Sequence, residues 1–249
     1  MENYNFLPIR HYPGNAHSSI TPSGIISCIS FNRTDRMRLF NFSPTLVNSI
    51  RSAIRESWKQ GIQSEVDYYG AKEFKLYGNP WLGNVDEAVS SRRLLTAILK
   101  CMAKNGWNLI ASADISKKSH DKDTLFFEYV ATIVEPMMFA MSFNMNDRLR
   151  IIEADQQVQT VVQNTIHAAW KKGVQNKREY YGALEFKLAG WPWFADGKET
   201  VEIRLLLVQI LNELRKIGYK LYASVDISAG TDGKDLESWV FRKIDAAYQ

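Results

Sequence analysis

An aspartate, a serine and a lysine stand close together in the chain at Asp114, Ser116 and Lys122, and the same set returns at Asp226, Ser228 and Lys234. A carboxylate, a hydroxyl and an amine are parts from which a catalytic site can be assembled. Asp and Ser at a strand end also organise turns through backbone hydrogen bonds, and that is the preferred reading. A second polar pattern, Asn32-x-x-Asp35-Arg36-x-Arg38, reappears as Asn144-x-x-Asp147-Arg148-x-Arg150. Arginines two apart on a strand share a face and could grip an anion. The competing and preferred reading is a capped hairpin turn with both arginines on an exposed sheet face. Arg92 and Arg204 fall in the first turn of a helix, where a cation opposes the helix dipole. An internal carboxylate such as Glu87/Glu199 or Asp114/Asp226 is the expected partner, and an external anion at the helix N-terminus is the alternative.

Aromatic residues crowd the segments next to these charges. Tyr68-Tyr69 matches Tyr180-Tyr181, and Gly78-Asn79-Pro80-Trp81 matches Gly190-Trp191-Pro192-Trp193. Near Lys59, Lys75, Lys171, Lys172, Lys177 and Arg178, they suggest bases stacking in a basic field, as in single-strand nucleic-acid binders. The preferred reading has Pro-Trp plugging the open end of a core. Trp191 is set apart because its partner is Asn79, so the shared fold does not require it and it is a candidate contact residue. The tyrosines Tyr69 and Tyr181, with Trp81 and Trp193, complete the ligand-binding candidates. His11, His17, His120 and His167 have no histidine counterparts in the other copy, and no His/Cys cluster has metal-ligand spacing. No phosphate loop, dinucleotide fingerprint, nucleophile elbow or zinc-protease motif occurs. No catalytic residue, metal or cofactor is therefore assigned.

These residues are doubled because the chain is doubled. From Phe31 onward residue i aligns with residue i+112 without a gap for about ninety positions, and roughly two in five are identical. Two domains are expected, 25–134 and 135–249, preceded by a flexible arm over 1–24 that is rich in Pro, Gly, Ser, Asn and His.

Each unit reads ββαβαββ. Ile25–Phe31 and Arg36–Phe42 form a hairpin around Asn32–Asp35. Ser43-Pro44 opens a helix carrying Leu46, Val47, Ile50, Ile54 and Trp58 on one face, and Gly61 ends it. Ala71–Leu76 is a short strand and Ser91–Lys104 the second helix. Trp107–Ile115 and Thr124–Val134 are the last two strands. Gly70/Gly182 and Gly78/Gly190 are expected at positive φ or where the backbone is crowded. The fold class is α+β: two tandem copies, each an antiparallel sheet with two helices on one face. A pseudo-two-fold axis or a shared sheet edge is expected to relate them, leaving a groove between the copies.

The net charge is +4 with a pI near 8.9. That admits an anionic partner, although a dedicated nucleic-acid binder carries a denser basic stripe. The 45% hydrophobic and 23% charged fractions are ordinary globular values. No apolar run of membrane-spanning length and no signal-peptide pattern is present, so membrane insertion is not expected and the cytoplasm or nucleus is. Cys28 and Cys101 are matched by Ala140 and Glu213, which suggests reduced thiols rather than a duplicated disulfide.

The string Trp58-x-x-Gly61-Ile62-Gln63, Tyr69-Gly70-Ala71-x-Glu73-Phe74-Lys75-Leu76-x-Gly78-x-Pro80-Trp81, Gly106-Trp107 and Asp114-Ile115-Ser116 resembles an uncharacterised eukaryotic tandem-repeat domain family. The resemblance covers most of each copy. It implies a eukaryotic intracellular origin and carries no activity, substrate or site residue. Copy two departs from the string at Val174, Trp191 and Tyr219. Duplication of a whole domain without a duplicated catalytic set points to a non-enzymatic binding or adaptor protein. Its expected partner is a protein or an anionic ligand, held on a composite surface or in the groove between the copies. Single-stranded nucleic-acid binding is the first alternative. An enzyme built on the Asp/Ser/Lys set is the second.

Overall fold

The computed structural model describes residues 24–83, 87–116, 122–131, 135–227 and 236–244. Apart from Gly24, the expected N-terminal arm lies outside the described residues, as do Ser228 and Lys234. Copy one runs β1 (Ile26–Asn32), β2 (Arg36–Phe40), α1 (Pro44–Ser57), β3 (Ile62–Tyr68), β4 (Ala71–Leu76), α2 (Glu87–Lys104), β5 (Trp107–Ala113) and β6 (Thr124–Tyr129). Copy two follows as β7 (Met138–Asn144), β8 (Arg148–Ile152), α3 (Gln156–Ala169), β9 (Val174–Tyr180), β10 (Ala183–Leu188), α4 (Lys198–Lys216), β11 (Tyr219–Val225) and β12 (Ser238–Lys243).

The chain is thus a duplicated α+β protein with two six-stranded antiparallel sheets, ordered β3-β4-β2-β1-β6-β5 and β11-β12-β7-β8-β10-β9. Each unit has one strand more than the sequence pattern suggested. The extra strand, β3 or β9, is a sheet edge, and most of its residues are exposed. In β3 Ser64 interrupts the alternation of Ile62, Val66 and Tyr68, and in β9 Asn176 and Arg178 remove it, so the period-two signal is weak.

The local signals for the first helix of each unit are visible in atomic detail. Ser43 Oγ accepts from the Leu46 N–H at 3.3 Å, and the Asp155 carboxylate accepts from the Val158 N–H at 2.8 Å. At the other helix end the indole of Trp58 donates to Tyr77 O at 2.9 Å and that of Trp170 to Ala189 O at 3.1 Å. Each of these tryptophans ties a helix to the segment that follows its unit's fourth strand. Gly78 and Gly190 have φ of +72° and +83°, where a side chain is strained, and a Cβ on Gly190 would sit 3.0 Å from Glu199 Oε1.

The copies are related neither by a two-fold axis nor by a shared sheet edge. Helix α2 lies on its own sheet and also packs against β7 and β8, on the face of the second sheet that points away from α3 and α4. A two-fold would place α4 on β1 and β2, and no such packing of comparable extent exists among the described residues. The layers therefore run sheet one, α1/α2, sheet two, α3/α4, a head-to-tail stack. One core holds Leu95 and Leu99 of α2 together with Met138, Ala140, Ile152 and Val240 of copy two. A second core lies wholly within copy two. The groove expected between the copies is filled by the first of these cores. Twelve of the 18 residues of α2 are buried, against four of the 19 in α4. This difference follows from α2 having sheets on two sides.

Candidate binding surface

The paired arginines converge on a carboxylate that the sequence pattern did not single out. Strands β2 and β4 are neighbours, and Arg38 is in register with Glu73. Glu73 is 1% exposed, binds Arg36, and accepts from Arg38 Nε at 2.6 Å. In copy two Arg150 Nε and Arg178 Nε reach Glu185 at 2.7 Å, and Arg148 Nη1 reaches it at 3.2 Å. Burial pushes both carboxyls up, but the guanidinium hydrogen bonds and charges outweigh it and hold both below the usual range. Arg38 stacks over the Tyr68 ring at 4.3 Å and Arg150 over Tyr180 at 4.1 Å. The arginines thus belong to internal carboxylate–aromatic clusters. Glu73 and Glu185 look like ordinary outward strand residues until β2 is known to lie beside β4.

Arg92 and Arg204 have separate environments. Arg92 is 1% exposed; its Nε donates to Ser238 Oγ of copy two at 2.9 Å and its Nη1 to Ala88 O at 3.2 Å. Arg204 is exposed and donates to Thr200 O, the counterpart of Ala88, at 2.7 Å. Of the carboxylates expected beside them, Glu87 accepts from Gln60 and the Asn79 N–H, and Glu199 pairs with Lys172 at 2.7 Å. The cross-joint contact of Arg92 was not legible because no sequence signal shows which surfaces of the two copies meet.

The Asp/Ser/Lys set is divided in the same way. Asp114 accepts from the Ser116 N–H at 2.9 Å, a turn-capping contact. Lys122 is 5% exposed, and its neighbour Asp123 accepts from Ser112 at 2.8 Å and from the Asp226 N–H at 2.9 Å. The Asp123 N–H returns a bond to Asp226 O at 3.0 Å. Asp226 therefore helps to stitch the two copies together through its backbone. Among the described residues no group of three or more His, Cys, Asp and Glu is placed to hold a metal ion. Both thiols are free and both are pushed up by burial, Cys101 to about 11, which keeps them protonated at neutral pH.

The aromatic candidates fall into two groups. Trp81 is fully buried, donates to Arg36 O at 2.8 Å and packs on Phe31. Trp193 donates to Arg148 O at 2.9 Å and meets Phe143 edge-on. Tyr69, Tyr181 and Trp191 are exposed, as is Phe194 beside them in sequence.

The largest difference between the copies lies on the sheet faces turned away from each sheet's own helices. Ile26, Phe40 and Ile110 of sheet one are 43%, 37% and 53% exposed. Their counterparts Met138, Ile152 and Tyr222 are 3%, 0% and 9% exposed, because α2 and β5 cover them. Apolar residues on both faces of these strands are the sequence signal for a sheet covered twice.

A model of an uncharacterised domain family matches residues 26–128 and again residues 137–242. No curated protein and no solved structure matches the chain. No helix is long and apolar enough to cross a membrane among the described residues.

Proposed function

This chain belongs to that uncharacterised family through both of its halves, and on that premise we propose that it is a non-enzymatic binding protein whose working surface is the outer face of sheet one. The observation behind this is the contrast between the copies. Within this one molecule the outer face of sheet two already holds an amphipathic helix, α2, while the equivalent face of sheet one leaves Ile26, Phe40 and Ile110 exposed. Exposed apolar residues gathered on one face, with charged residues around them, are the usual character of a protein-docking surface. A photo-crosslinking residue at Ile110 is expected to trap a discrete protein partner that the same residue at exposed Arg55 on α1 does not. Equal capture at both positions, or none at Ile110, would count against the reading.

Single-stranded nucleic acid is the second reading, supported by the exposure of Tyr69, Tyr181 and Trp191. Four arginines that it would use are paired with Glu73 and Glu185, which removes the strand cations on which it rests. Titration of labelled single-stranded RNA and DNA at low and moderate salt is expected to show no tight, steeply salt-dependent binding and no quenching of Trp191. Tight binding with a steep salt slope would put the nucleic-acid reading first.

A further inference from the structure

We infer that the partner of the sheet-one face is the α4 face of a second copy of this chain, so that molecules join head to tail. The inference rests on the binding reading above and names its occupant. The joint inside the molecule is the template, because each half of it recurs with exposed apolar residues at an end of the stack among the described residues. Val89 and Thr96 of α2 are fully buried under sheet two, and their counterparts on α4, Val201 and Val208, are 57% and 51% exposed. The opposite end carries the uncovered sheet face with Ile26, Phe40 and Ile110. One end therefore offers the helix half of the joint and the other offers the sheet half.

Several residues that cross the internal joint have compatible counterparts at the two ends, although Tyr222, whose hydroxyl accepts from the Leu109 N–H at 2.8 Å, is replaced by Ile110. Arg92 donates to Ser238; the repeat and the strand registers make Arg204 and Thr124 their counterparts, of which Thr124 is already only 5% exposed in the single molecule. The Arg93–Glu153 ion pair, at 3.8 Å, becomes Leu205 beside Asn41, so neither charge is left without its partner. Arg242 donates to Asn108 at 2.8 Å; the strand registers make Glu128 and Lys220 their counterparts, a pair of opposite charge. Leu205, at 57% exposure, adds apolar surface that Arg93 lacks. An interface of this kind joins two different patches and does not close on itself, so it supports growth beyond a dimer.

The test uses the full chain and two exposed-site variants, Val208→Glu to block the helix end and Ile110→Glu to block the sheet end, each checked for native circular dichroism. Sedimentation velocity of the unaltered protein is expected to show a mass distribution that rises with concentration. Each variant alone is expected to be monomeric, and an equimolar mixture is expected to form one-to-one dimers and stop there, because each variant brings one working end and both outer ends of the dimer are blocked. An unaltered protein that stays monomeric to about 1 mM, a Kd range in which association is negligible, would overturn the inference. So would assembly that neither variant disturbs. Intramolecular cross-links from residues 1–23 to the sheet-one face would place that segment there instead and likewise overturn it. If self-association fails while Ile110 still traps a different protein, the binding reading stands and only the second copy is lost.

Discussion

Glu185→Gln is expected to be among the most damaging conservative substitutions in the chain. The side chain is 1% exposed and serves Arg148, Arg150 and Arg178, of which Arg150 is itself only 7% exposed. An amide of the same shape cannot satisfy these cations, and removing one partner of a buried pair costs about 3–5 kcal/mol because the other charge stays buried. For a chain of this size that is a fall in Tm of roughly 10 °C. Glu73→Gln is expected to cost less, about 1–3 kcal/mol, because Arg36 and Arg38 are 25% and 23% exposed and water can replace part of the lost interaction.

The same group sets an acid limb of stability. Glu185, Glu73 and Glu65 all titrate below the usual carboxylate range when folded. For Glu65 the largest cause is its hydrogen bonding with Arg51, at 2.6 and 2.8 Å. A lowered folded pKa gives stability that is fully present above the unfolded value of about 4.3 and is lost as the pH falls through the folded value. Urea midpoints measured at pH 7, 4 and 3 should therefore fall with acid, and fall less steeply in Glu185→Gln. An unchanged acid limb in that variant would show that the Glu185 carboxyl titrates alike in the folded and unfolded chain, so that its arginines do not hold it down.

Ile152→Glu and Phe40→Glu place one substitution at equivalent positions of the two copies and should have opposite outcomes. Ile152 is fully buried in the joint between α2 and sheet two, where a carboxylate has neither water nor a cation introduced with it. Losing the apolar contacts alone costs about 2–5 kcal/mol, and burying the charge adds to that. The variant is expected to lose the α2 joint, seen as rapid hydrogen exchange along α2 together with a large drop in Tm. Phe40 is 37% exposed on the uncovered face, and its replacement should change stability by less than about 1 kcal/mol, as exposed positions usually do. Similar losses at both sites would mean that the sheet-one face is covered in solution.

Much of the unit was legible before its structure. The i+112 correspondence establishes the duplication, and the apolar stripe of α1 with the Ser43 signal marks a helix that is present from Pro44 to Ser57, although its C-cap is Trp58 and Gly61 lies beyond it. The glycines expected at positive φ, Gly70 and Gly78, are found there. These features depend on neighbours within a few residues, so local pattern suffices to read them. β3 escaped because an exposed edge strand keeps only a partial apolar period, here Ile62, Val66 and Tyr68 interrupted at Ser64.

The sequence by itself determined the repeat, the strand and helix order apart from β3 and β9, and the division of residues kept and lost between the copies. Only the tertiary structure decided that Glu73 sits between Arg36 and Arg38, because strand adjacency is a long-range property that no local spacing encodes. It also decided that the copies stack head to tail. Two copies of one fold offer several possible pairings, and what selects among them is the fit of whole faces: the second apolar side of α2, Arg92 reaching Ser238, and the backbone stitch from Asp123 to Asp226. That choice leaves apolar residues exposed on one helix face and one sheet face at opposite ends of the described structure.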